Sequence, residues 1–109
     1  MAAGGIGSGG LATRYAAALF NLADEKKALD AVADDLKSIR TMIASSDDLR
    51  RVLRSPVIGR TEQGRAMAAI LDAAGTGDLV RRFVGLVAEK RRLFALPRMI
   101  DAYLAELAR

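Results

Sequence analysis

A chain of 109 residues has the size of one globular domain, and its 51% hydrophobic and 28% charged residues set it apart from disordered, collagen-like and membrane-spanning sequences. The absence of His and Cys excludes a Cys/His zinc site, a Cys–His nucleophile, a Ser-His-Asp triad and a disulfide framework. The net charge of +4 is uneven: residues 1–49 carry −2 and residues 50–109 carry +6.

With 21 Ala and 14 Leu against 6 Val and 6 Ile, good helix formers outnumber β-branched strand formers. The expectation is an all-α fold: a flexible glycine-rich N-terminal tail over 1–10, then a single six-helix bundle over 11–109. Half of the ten glycines fall in the tail, where their backbone entropy opposes ordering. Gly5, Gly7 and Gly10 fit G-x-G-x-x-G, but no strand precedes them and no βαβ unit follows, so the match is read as accidental. This start lacks the charged residue and apolar run of a secretory signal, and no segment approaches 18 uninterrupted apolar residues.

The first helix is predicted from Leu11 to about Glu25, with its polar positions Thr13, Arg14 and Asn21 confined to an arc of roughly 100°. The second, about Lys27 to Ala44, presents one seam of Leu29, Val32, Leu36, Ile39 and Ile43. Ser45-Ser46-Asp47-Asp48 supplies acceptors for an N-cap and opens a short third helix with Leu49, Val52 and Leu53, ended by Ser55-Pro56. Neighbouring carboxylates in Asp34-Asp35 and Asp47-Asp48 point about 100° apart on a helix, so capping and solvation are preferred to an acid/base pair.

Thr61-Glu62-Gln63-Gly64 begins a fourth helix with Met67, Ile70, Leu71 and Ala74 on its inner face, closed by Gly75-Thr76-Gly77. The fifth runs from Asp78 to about Arg91, and its Leu79, Val80, Phe83, Val84, Leu86 and Val87 cover roughly 160°. A break within Arg91–Pro97 separates it from the sixth, Pro97 to Arg109, with Met99, Ile100, Tyr103, Leu104 and Leu107 inward.

The first and fifth helices carry more apolar surface than one packing face requires. Either both are central and fully covered, or they lie side by side and leave a groove for an amphipathic helix with i, i+3, i+4, i+7 anchors. In the second case the groove residues are Leu11, Tyr15, Ala18 and Leu22 on the first helix and Leu79, Phe83 and Leu86 on the fifth. Ala16, Leu19, Phe20, Ala23, Val80, Val84 and Val87 then face the core.

Three segments carry a family resemblance: Arg14-Tyr15-Ala16-Ala17-Ala18-Leu19-Phe20-Asn21-Leu22-Ala23, the turn Ser55-Pro56-Val57-Ile58, and Arg91-Arg92-Leu93-Phe94-Ala95-Leu96-Pro97. In order and spacing the chain from about Leu11 to Leu107 resembles the N-terminal domain of the ATP synthase delta subunit, the oligomycin sensitivity conferral protein of mitochondria. The resemblance implies a six-helix bundle and a non-catalytic stator subunit without cofactor or metal, tying the catalytic head of a proton-translocating F-type ATP synthase to its peripheral stalk. It also implies that the N-terminal helix of an alpha subunit lies between the first and fifth helices. Tyr15, Ala18, Phe83 and Leu86 take that role from the matching segments, and Leu11, Leu22 and Leu79 extend it by helical spacing.

Family members continue into a C-terminal domain that engages the b subunit, and this sequence stops after the sixth helix. The expectation is either a deliberately shortened chain, the preferred reading, or a natural fragment, and in both cases one that binds alpha but cannot complete the stalk. Its implied place is peripheral, on the cytoplasmic side of a bacterial plasma membrane, without direct insertion. The alternative is a basic nucleic-acid-binding module with a helix–turn–helix near Arg50–Ala74, which has few groove-reaching polar residues beyond Gln63 and Arg65, both expected to be exposed.

Overall fold

The computed structural model describes residues 8–109. Among them are six α-helices and no strand: α1 (Ser8–Glu25), α2 (Leu29–Ser45), α3 (Asp47–Arg54), α4 (Arg60–Ala73), α5 (Asp78–Glu89) and α6 (Leu96–Ala108), with a one-turn 3-10 helix at Leu93–Ala95 before α6. The all-α reading therefore holds. The first helix begins three residues earlier than expected, so Ser8–Gly10 are helical rather than tail, and Ala12 just after this first turn is buried in the core. The rest of the predicted tail lies outside the described residues.

Helix ends follow from local chemistry. Lys27 closes α1 with φ of 56°, and Ala28 N–H donates to the Ala23 carbonyl at 2.8 Å, a left-handed closure that delays α2 to Leu29. Gly75 closes α4 in the same way at φ 71°, with Thr76 N–H donating to Leu71. The α5 end repeats the device without glycine: Arg91 has φ of 58°, Arg92 N–H donates to the Val87 carbonyl, and α5 stops at Glu89 rather than near Arg91. Glycine-free closure is costlier, and Arg91 offsets part of it by donating from Nη1 to the Ile58 carbonyl and to Gln63 Oε1, both at 2.8 Å.

Ser46 is the N-cap of α3, its Oγ accepting from Leu49 N–H at 3.1 Å. Arg50 reaches back from α3 to the Ile43 and Ala44 carbonyls at the end of α2, satisfying acceptors a helix end leaves open. Glu62 accepts from Gly59 N–H at the start of α4. Asp35 accepts from Gly77 N–H at 2.9 Å, so one carboxylate on α2 fixes the entry to α5, in keeping with a capping role. Leu96 is helical immediately before Pro97, against the usual preference, because the 3-10 turn already directs the chain into α6.

The core is one cluster drawn from every helix, with Leu36, Ile39, Met67, Leu71, Leu96, Ile100 and Tyr103 among its fully buried side chains. Tyr103 places its ring 5.5 Å from Phe20 and its hydroxyl donates to the Leu29 carbonyl, which links α6 to α1 and α2. Two expectations are corrected. Ala74 is exposed because α4 has already ended at Ala73, and Gln63 is buried rather than exposed because its amide is bonded at both ends: Nε2 donates to the Val52 carbonyl at 2.8 Å and Oε1 accepts from Arg91.

Candidate partner-binding groove

α1 packs most extensively on α6, and α5 packs chiefly on α4. Each helix thus spends its inner face elsewhere: Ala12, Ala16, Leu19 and Ala23 on α1, and Val80, Val84, Val87 and Ala88 on α5, are buried. At about 100° per residue, the second apolar strip of each helix lies beside its core strip, and the two second strips face each other across a trough.

That trough has a volume of about 560 Å³ and is lined by Tyr15, Ala18, Leu19 and Leu22 from α1 and Leu79, Phe83 and Leu86 from α5, with Arg14, Lys26 and Arg82 around them. Six of the seven sequence-derived groove residues are brought together. Leu11 is not among them; it is half-buried and packs against the core. Leu22 is 39% and Leu86 46% exposed, an unusual degree for Leu side chains that share one concavity.

The walls touch where the Tyr15 and Phe83 rings meet edge to face, 6.4 Å between centroids, a favoured aromatic geometry. Tyr15 is held from behind: Arg92 Nη1 donates to its hydroxyl at 2.8 Å, with the guanidinium carbon 5.6 Å from the ring centroid. The Arg91-Arg92 pair therefore has two structural tasks, Arg91 pinning the loop at Ile58 and Arg92 fixing a groove wall. The sequence reading missed this buttress, along with Leu19 as part of the lining and the three cations at the rim.

Chemically the trough offers an apolar surface with small Ala18 at one wall, and no acid, hydroxyl cluster or amide converges inside it beyond the Tyr15 hydroxyl that Arg92 occupies. Small-molecule sites combine an apolar lining with several convergent polar groups; this one has the make-up of a helix-docking groove. No group of three His, Cys, Asp or Glu side chains among the described residues is placed to hold a metal ion, and no described helix is long and apolar enough to cross a membrane. Two other exposed apolar side chains are Val57, next to Ile58 in the loop that Arg91 pins, and Phe94 in the 3-10 turn.

Residues 11–109 match the family model described as ATP synthase delta (OSCP) subunit. Among curated relatives, the ATP synthase subunit delta of Rhodospirillum centenum is 60% identical over 109 residues, covering 100% of this chain and 59% of the relative. That of Rhodospirillum rubrum is 52% identical over 99 residues, 91% of this chain and 53% of the relative. The protein of the same name from Azorhizobium caulinodans is 52% identical over 99 residues, with coverage of 91% and 53%. The chain thus spans between half and three-fifths of the length of these relatives.

Proposed function

This chain belongs to the ATP synthase delta (OSCP) subunit family, and on that premise we propose that it is a non-catalytic stator component of an F-type ATP synthase, holding the N-terminal helix of an alpha subunit in the α1–α5 groove. The observation that carries the reading is the grouping of Tyr15, Ala18, Leu22, Leu79, Phe83 and Leu86 along one trough, with two leucines left half in solvent. Their spacing along α1 and α5 suits the i, i+3, i+4, i+7 anchors of an amphipathic helix. A stator element has to resist rotor torque through many turnovers. An apolar groove whose walls are already held by core packing and by Arg92 loses little freedom on binding, which favours a long-lived complex.

Attachment to the b subunit is assigned to the part of the family's length that this chain does not span. The assembly's location is the cytoplasmic side of a bacterial plasma membrane, with this chain peripheral. A nucleic-acid module is disfavoured because Gln63, one of the two side chains that reading relies on, is buried and bonded at both ends.

The test is titration of the chain with a fluorescently labelled peptide of roughly the first twenty-five residues of the cognate alpha subunit, about seven turns of helix and so long enough to span the trough. Saturable binding is expected, and Leu86→Asp should weaken it at least about tenfold, since a carboxylate then faces an apolar surface. Leu86 is half-exposed, so the helical circular dichroism should not change. A folded chain that fails to saturate, or a Leu86→Asp variant that binds as well as the parent, overturns the assignment.

A further inference from the structure

Every charged residue lining the groove is a cation: Arg14 and Lys26 on the α1 wall and Arg82 on the α5 wall. They are not equivalent. Arg82 is paired with Asp78, its Nε 2.9 Å from Oδ2, so much of its charge is met within the chain. Arg14 and Lys26 are exposed and form no ion pair among the described residues. Asp24 and Glu25 sit at the same end of α1 as Lys26 but do not line the trough.

Resting on the helix-docking reading of this groove, we infer that its occupant is an amphipathic helix with carboxylates on the flank of its apolar stripe that faces Arg14 and Lys26. Lys26 stands one residue past the end of α1, its N–H still donating to the Leu22 carbonyl at 3.1 Å, so the two cations are about 18 Å apart along the helix axis at 1.5 Å per residue. They therefore bracket the α1 wall of the trough along its length and select an occupant with acidic residues about three turns apart on the side that faces α1, with the apolar stripe between. Exposed pairs of this kind add modest affinity singly. Their larger effect is on encounter rate and on rejection of basic amphipathic helices, whose flank would meet two unpaired cations at the moment of desolvation.

The experiment titrates the chain and the double variant Arg14→Glu/Lys26→Glu with the alpha N-terminal peptide. Each is run at about 0.1 M and about 1 M salt, where the screening length falls from about 10 Å to about 3 Å. Parent affinity should drop severalfold with salt, mainly through a slower association rate. The double reversal should weaken binding about tenfold at low salt, and replacing the peptide's acidic flank residues by Lys should restore binding to the variant. Affinities that agree within twofold across salt and variants overturn the charge rule while leaving the groove reading in place. A parent chain that does not bind the peptide at either salt removes both.

Discussion

The Arg92–Tyr15 contact gives a sharp test of how the groove wall is built. Tyr15→Phe keeps the ring that meets Phe83 and deletes the hydroxyl that accepts from Arg92 at 2.8 Å. Arg92→Met keeps a similar stem and deletes the donor. A hydrogen bond to a charged group contributes about 1.5–3 kcal/mol when shielded. Both partners here are half-buried, which lowers the expected coupling to about 1 kcal/mol. For a domain of this size that corresponds to roughly 4–8 °C in Tm. The assay is urea unfolding followed by helical circular dichroism, with stabilities compared in a double-mutant cycle. The second substitution should cost about 1 kcal/mol less in the presence of the first. If the two costs add within about 0.3 kcal/mol, the contact does not hold the wall, and the structural role given to the second arginine of the Arg91-Arg92 pair is wrong.

Two further predictions concern the frame around the groove. Gln63→Leu fills the same space but leaves the Val52 carbonyl without its donor and removes one of the two acceptors of Arg91; a loss of about 2–3 kcal/mol in urea unfolding is expected, and a change below about 0.5 kcal/mol would show that the amide is dispensable. The Tyr103 hydroxyl is pushed up to about 12 by burial, with the Asp30 carboxylate adding to the shift. A phenol titrating higher in the folded chain than its ordinary value near 10 favours the protonated form on folding. The associated stability is complete below about pH 10 and is lost between about pH 10 and 12, amounting to roughly 2–3 kcal/mol. Tyr103→Phe should show a shallower alkaline decline than the parent, and parallel declines would refute the assignment.

The parts of the fold readable from sequence are those set by helical period. The α2 seam of Val32, Leu36, Ile39 and Ile43 is buried as its spacing requires, and the over-wide apolar arcs of α1 and α5 resolve into a core strip and a groove strip. Properties fixed by other elements were not readable. Gln63 looks like a surface residue of an amphipathic helix, and only the approach of Val52 and Arg91 from two sides makes its burial affordable. Arg91 has no glycine to announce a left-handed closure; its conformation depends on acceptors 28 and 33 residues away. Leu11 shares the groove's helical face by spacing, yet at the start of α1 it lies against the core and outside the trough. The cationic rim likewise depends on α1 and α5 lining the same trough, which no local pattern encodes.

The central claim, that an alpha-subunit helix occupies the α1–α5 trough, is tested most directly by amide chemical-shift mapping of the isotope-labelled chain as the alpha N-terminal peptide is added. The account predicts that the largest shifts cluster at Tyr15, Ala18 and Leu22 and at Leu79, Phe83 and Leu86, with Val57 and Phe94 unmoved. Shifts centred on Val57 and Phe94, or scattered without saturation, would contradict it.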